Sequence, residues 1–150
     1  MAAHPGSFFE DFSDFVRNPS APVSVEFSRL AAQRKWKVGS KRYRQMWSKC
    51  MFSEFENVYG TEFSRLQCWQ NLCAELQIDV FDSIRKCKMA LSKVYVNLVD
   101  LLDSRADGTV VKKFKTLKEL RAYTGKTGRY FPRNKAKEEG FIKVLLKHIV

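Results

Sequence analysis

Apolar residues recur at every third or fourth position through most of this chain, and this spacing restricts the possible folds more than any other feature of the sequence. Tyr43, Trp47 and Met51, for example, would lie on one side of a single helix. An amphipathic helix must bury its apolar stripe against other elements. The sequence therefore predicts an all-α fold, a compact single-domain helical bundle of about five to six helices over residues 22–150. Residues 1–21 are expected to form a separate acidic and aromatic arm.

Residues with capping chemistry predict where the helices begin and end. Ser40 and Ser83 are suitable N-caps, Thr116 and Glu119 have the spacing of a capping box, and Gly60 is suited to a helix end. The predicted helices run from Pro22 to between Trp36 and Gly39, from Ser40 to Gly60, from Glu62 to Leu76, from Ser83 to Ser104, from Thr116 to about Thr124, and from Pro132 to the last residues. The stretch 109–114 has β-branched character but no evident strand to pair with, and is interpreted as a linker.

Composition excludes several classes of protein. A chain of 150 residues buries enough surface for a core, and no apolar stretch approaches the ~20 residues of a membrane span. The N-terminal residues lack the pattern of a signal peptide, so a nuclear or cytoplasmic location is expected rather than secretion. The four cysteines show no C-x-x-C pair. They are interpreted as reduced, buried side chains, and neither a metal site nor a cofactor is expected.

The positive charge is concentrated in two parts of the chain. Against a total of 27 Lys and Arg and 16 Asp and Glu, residues 34–49 carry seven basic residues and no acidic one, and residues 106–150 carry twelve and four. Cations beside the N-terminus of a helix oppose its dipole, whereas a bound anion would be favoured there. These two blocks predict contacts with phosphates. The candidate residues are Arg34, Lys35, Lys37, Lys41, Arg42, Arg44, Lys126, Arg129, Arg133, Lys135 and Lys137.

The sequence thus favours a non-enzymatic module that binds nucleic acid, DNA rather than RNA, through basic helical surfaces. The order of a short helix, a turn and a basic helix is that of a helix-turn-helix unit, although the turn is long for that motif. The other interpretation is a solvated basic exterior, with Tyr43 and Trp47 holding the helix to the core.

An alternative function is a protein-interaction or regulatory domain whose basic surface is incidental. In that case four phenylalanines interleaved with acids would dock a partner: Phe8, Phe9, Phe12 and Phe15. The same rings could instead fold back over the core of the protein itself, and the sequence favours this second interpretation.

Enzyme motifs are not found. Gly125-Lys126-Thr127 resembles the end of a P-loop, but Leu120 occupies the position that requires glycine. The paired carboxylates Asp100 and Asp103 are expected on a polar helix face. No small-molecule substrate is evident from the sequence.

Several longer strings resemble a group of small fungal proteins with no established activity. They include Asn18-Pro19-Ser20-Ala21-Pro22-Val23, Glu26-Phe27-Ser28-Arg29-Leu30-Ala31, Gly39-Ser40-Lys41-Arg42-Tyr43-Arg44, Trp69-Gln70-Asn71-Leu72-Cys73-Ala74-Glu75-Leu76 and Phe141-Ile142-Lys143-Val144-Leu145-Leu146. The resemblance implies a compact intracellular domain and carries over no site residues.

Overall fold

Seven α-helices dominate residues 7–147, the part of the chain that the computed structural model describes. The only strands in that part are two residues long each, so the predicted all-α class is confirmed. Within the same residues, no helix has the length and apolar content needed to cross a bilayer. The chain divides into two compact units.

Unit 1 consists of residues up to Gly60 together with Val99–Val110. It contains a short 3-10 helix and three α-helices, the last of which begins one residue before this second segment. These elements are the 3-10 helix Phe8–Asp11, α1 (Val23–Arg34), α2 (Lys41–Tyr59) and α5 (Leu98–Asp107). Their buried apolar side chains include Phe27, Leu30, Met51, Leu101 and Leu102.

Unit 2 consists of Thr61–Leu98 and Val111–Val150. It contains α3 (Leu66–Glu75), α4 (Ile84–Leu91), β1 (Tyr95–Val96), β2 (Lys113–Phe114), α6 (Leu117–Thr127), the 3-10 helix Lys135–Lys137 and α7 (Gly140–Leu145). Trp69 of α3 lies in its core, with its ring 4.5 Å from that of Phe141 and its indole N–H donating to the Phe63 carbonyl at 2.8 Å. Buried Trp rings need such a hydrogen-bond acceptor.

The predicted long helix from Ser83 to Ser104 is wrong, because two helices and a strand occupy this segment. Ser83 caps α4 as expected, accepting from the Lys86 N–H at 3.2 Å, but α4 ends at Leu91. Tyr95–Val96 then pairs antiparallel with Lys113–Phe114. The interpretation of the stretch 109–114 as a linker with nothing to pair with is wrong for the same reason.

The last predicted helix begins later than Pro132. Asn134 and Glu138 form a hydrogen-bonded turn, in which the Asn134 N–H donates to Glu138 Oε2 at 2.9 Å. The helix α7 starts only at Gly140, whose φ is +57° and whose missing Cβ would lie 2.2 Å from the Phe63 ring. No other residue fits this position without moving Phe63. The last residues of this predicted helix, 148–150, lie outside the described residues.

One buried carboxylate contradicts its predicted position on a polar face. Asp103 of α5 is 8% exposed. It accepts from the Ser24 backbone N–H at 2.9 Å and from the Ser24 hydroxyl at 2.5 Å. The N-cap residue of α1, Pro22, makes no side-chain capping bond. Asp103 therefore satisfies the N-terminus of α1 from a distant helix.

Candidate nucleic-acid interface

The first basic block lies where α1 ends and α2 begins, and an aromatic cluster fixes this junction. Phe27 of α1 is fully buried, and its ring lies 5.2 Å from those of both Tyr43 and Trp47 in the first half of α2. Trp36 in the connecting turn lies 6.1 Å from the same ring. Tyr43 and Trp47 hold α2 to the core, as one interpretation of the sequence expected. Because those residues face inward, the opposite side of the helix faces solvent.

The turn between the two helices is defined by its backbone hydrogen bonds. Lys35 has a left-handed conformation, with φ of 59°, and its N–H donates to the Ala32 carbonyl. The Trp36 N–H donates to the Ala31 carbonyl at 2.9 Å, which completes a Schellman-type helix end. Ser40 then caps α2, accepting from the Tyr43 N–H at 3.1 Å as predicted.

Six cations project from this turn and from the exposed side of α2. They are Lys35, Lys37, Lys41, Arg42, Arg44 and Lys49, all classed as exposed. Within the described residues none of the six forms an ion pair or a side-chain hydrogen bond with the protein. We call this set the basic surface of unit 1. Its charge is compensated by solvent or by an external anion, and not by nearby carboxylates.

Arg34 belongs to the same sequence block but has a different environment. It pairs with Asp14 of the N-terminal arm. Its guanidinium also lies 4.9 Å from the centre of the Phe12 ring. These contacts hold Arg34 against the arm, so its charge is partly neutralised within the unit.

The second basic block lies in unit 2, and its side chains are less available to a ligand than those of the first block. Arg133 pairs with Glu138 at 2.7 Å, and Arg129 is only half-exposed. Lys126 in the last turn of α6 and Lys137 in the second 3-10 helix are exposed. For Lys135 only the backbone is described. Local acids and partial burial therefore reduce the charge that this block offers to a ligand.

The four phenylalanines of the N-terminal arm are used inside unit 1. Phe8, Phe9 and Phe15 are each at most 7% exposed, and Phe12 is half-buried with its ring 5.6 Å from that of Trp36. This is the arrangement in which the rings fold back over the protein's own core. A partner-docking role for these four residues is not supported, since docking would require the rings to leave that core.

Two buried carboxylates tie the arm down. Glu54 of α2 is fully buried and accepts from Ser7 Oγ at 2.6 Å, from the Phe8 N–H at 3.1 Å and from Arg17 Nη1 at 3.0 Å. Glu26 of α1 accepts from the Asn18 N–H of the arm and from Arg29 Nε at 2.8 Å, and the Arg29 hydrogen bond holds the pKa of Glu26 below its ordinary value. Sequence reasoning missed the role of Glu54 because its partners lie 37 or more residues away. The role of Glu26 was also missed, although the spacing of Glu26 and Arg29 on one helix is a local signal.

At least two of the four cysteines are poorly suited to act as nucleophiles. Cys50, Cys73 and Cys87 are buried and Cys68 is half-buried. Burial raises the pKa of Cys50 well above its ordinary value and, together with the neighbouring Cys87, raises the pKa of Cys73 to about 12. Thiols with raised pKa values are poor nucleophiles. No group of three or more His, Cys, Asp or Glu side chains suited to a metal ion occurs between residues 7 and 147.

No protein-family model, no curated protein and no solved structure matches this chain.

Proposed function

We propose that this protein binds nucleic acid, DNA rather than RNA, and acts without catalysis through the basic surface of unit 1. The observation that carries the proposal is the set of six exposed cations, none of which has an acidic partner among the described residues. Lysine and arginine side chains that contact phosphates release condensed counterions, which supplies most of the affinity of non-specific binding.

The position of these cations supports a ligand rather than a role in folding. Lys41, Arg42 and Arg44 occupy the first turn of α2, where the dipole disfavours positive charge by a few tenths of a kcal/mol per residue. A phosphate at this end would interact favourably with the side chains and with the helix dipole. These three cations therefore lower the stability of the free protein slightly. A bound anion would offset that loss.

The shape of α2 suits a groove. Its buried side faces α1 through Tyr43 and Trp47, and its exposed side carries Lys41, Gln45 and Lys49 at intervals of four residues. A single helix with such an exposed side fits the major groove of B-DNA. The deep, narrow major groove of RNA helices would not admit it, which is the reason for preferring DNA.

Charge reversal tests the proposal. In the variant Lys41→Glu/Arg42→Glu/Arg44→Glu we expect duplex DNA binding to weaken by roughly 10- to 100-fold at about 150 mM salt, since each lost phosphate contact removes ~0.9 from the log–log salt slope. Fluorescence anisotropy of a labelled duplex, titrated at several salt concentrations, measures both quantities. A labelled RNA duplex of the same length tests the preference for DNA, because its major groove is deep and narrow.

The control variant changes the same amount of charge elsewhere. Lys93, Lys118 and Lys143 are exposed lysines of unit 2, and changing all three to Glu gives the same net charge as the first variant. Glutamates in the first turn of α2 should raise rather than lower helix stability, so weakened binding by the first variant would not be due to unfolding. Equal loss of binding in the two variants would contradict a local site.

A pair of glycine substitutions separates binding from stability. Lys35 and Gln77 both follow a helix in the left-handed conformation, with φ of 59° and 58°. Glycine adopts this conformation without steric cost, so Lys35→Gly and Gln77→Gly should each raise the free energy of unfolding by about 0.5–1 kcal/mol. Urea denaturation measures this change.

Only Lys35→Gly should alter DNA binding, because only Lys35 belongs to the basic surface of unit 1. We expect its salt slope to fall by about 0.9 and that of Gln77→Gly to stay at the wild-type value. The proposal would be weakened if the two slopes remained equal.

A further inference from the structure

Unit 2 contains a small recess whose lining includes basic residues and no acidic one. Its volume is about 60 Å³, and its lining includes the cations Arg129, Arg133 and Lys147 and the buried polar residues Asn97 and Thr124. None of its ten lining residues carries a carboxylate. Organic ligands occupy pockets of several hundred Å³, whereas this recess has room for about four water molecules. Its occupant must therefore be small, and a lining with cations and no carboxylate favours an anion over a cation.

Lys147 is held by neutral groups, namely two carbonyl oxygens and the Tyr95 ring, whose centre lies 5.8 Å from its ammonium. Its ammonium donates to the Ser92 carbonyl at 2.6 Å and to the Val144 carbonyl at 3.0 Å, and burial lowers the pKa of Lys147. No carboxylate within residues 7–147 lies at ion-pair distance from it. Carbonyl oxygens satisfy two of its three hydrogens but leave its full charge in place.

Asn97 fixes the position of a hydroxyl group in the wall of the recess. The Asn97 amide donates to Thr124 Oγ1 at 3.2 Å and to the Arg129 carbonyl at 2.8 Å. Thr124 is thus an acceptor towards Asn97, and its own O–H remains able to donate. Arg133 pairs with Glu138, which compensates part of its charge. Guanidinium and ammonium groups beside a buried hydroxyl match the oxygens of a phosphate.

We propose that this recess binds one phosphate group, either as free inorganic phosphate or as the terminal phosphate of a small monoester whose organic part stays outside. Lys147 supplies the uncompensated charge, Arg129 and Arg133 contact the oxygens, and Thr124 donates from the wall. This proposal does not depend on the proposed nucleic-acid binding, because all its residues belong to the other unit.

The test is isothermal titration of inorganic phosphate into the full chain at constant ionic strength, with sodium chloride as the reference salt. The variant Lys147→Met should bind at least tenfold more weakly than the wild type. Lys143→Met is the matched control, since Lys143 is an exposed lysine of α7 outside the recess, and it should bind as the wild type does. Absence of binding in the wild type, or equal loss in both variants, would overturn the proposal.

Two additions keep the test decisive. If Lys147→Met does not fold, as judged by circular dichroism, Arg129→Met takes its place with the same expected loss, and unchanged binding by that variant overturns the proposal. Methyl phosphate in a parallel titration identifies the source. Binding as tight as that of inorganic phosphate supports a monoester, and binding of inorganic phosphate alone supports the free ion.

Discussion

Replacing Glu54 by alanine should lower the free energy of unfolding by about 3–5 kcal/mol, the usual cost of removing one partner of a buried ion pair. The Glu54 carboxylate accepts from Ser7, Phe8 and Arg17, and all three would lose their acceptor at once. The substitution would leave Arg17 with still fewer hydrogen bonds, because its Nε atom is already buried with no partner within the described residues. Urea denaturation followed by circular dichroism measures the loss.

The substitution should also release the N-terminal arm, which provides a second readout. Limited proteolysis is expected to cut the arm, residues 7–21, faster in Glu54→Ala than in the wild type, because the carboxylate ties this segment to α2. Glu54→Gln keeps an acceptor for Ser7 and for the Phe8 N–H and should cost clearly less.

A double variant tests whether the ion pair itself causes the effect. Glu54→Met combined with Arg17→Met removes both charges and should recover part of the stability lost in Glu54→Ala. A loss below about 0.5 kcal/mol in Glu54→Ala, the range of ordinary surface substitutions, would contradict the assigned role.

Replacing Phe27 by alanine is expected to cost about 3–5 kcal/mol, as is usual for a fully buried phenylalanine. Its ring contacts the rings of Phe8, Trp36, Tyr43 and Trp47, which come from the arm, the turn and α2. Loss of the ring would leave a cavity where these segments meet, and the surrounding rings could close it only in part. Thermal and urea denaturation both measure the change.

The same substitution should also affect the basic surface of unit 1, since Phe27 fixes the start of α2. We expect DNA binding by Phe27→Ala to weaken under conditions in which the variant is still folded, although Phe27 is buried and cannot touch a ligand. Phe27→Leu retains most of the apolar contact and serves as the control. Binding at the wild-type level by a folded Phe27→Ala would show that the aromatic cluster does not position the surface.

Local signals in the sequence predicted several helix ends correctly. Ser40, Ser83 and Thr116 accept the capping hydrogen bonds that their positions suggested, and Gly60 ends α2. Each of these features depends on residues within four positions along the chain, so a short stretch of sequence contains all the necessary information. Glu119 is a partial exception, because its carboxylate accepts from the Lys115 N–H rather than from that of Thr116.

Features that depend on distant partners could not be predicted in this way. The strand Tyr95–Val96 exists because Lys113–Phe114 pairs with it, and two residues are too few to show the alternation of a strand. The apolar residues on both sides of this strand continue a helical spacing, which is why the sequence predicted one long helix. The real boundary is set by hydrogen bonds to another part of the chain.

The candidate site likewise has one feature that the sequence shows and another that only the fold decides. The concentration of charge in residues 34–49 is evident from the sequence, but the sequence does not show which of those charges is compensated. Asp14 neutralises Arg34, whereas Lys41 and Arg42 have no such partner within the described residues. Ion pairs form between side chains that the fold brings together, often from well-separated positions.

The sequence by itself determined the helical class, the capped helix ends and the location of the basic residues, because periodicity, capping and charge are local properties of a chain. The tertiary structure alone decided the break at Tyr95, the capping of α1 by Asp103 and the burial of Glu54. Each of these requires a partner well separated along the chain, and the free energy of such a contact is available only once the chain has folded.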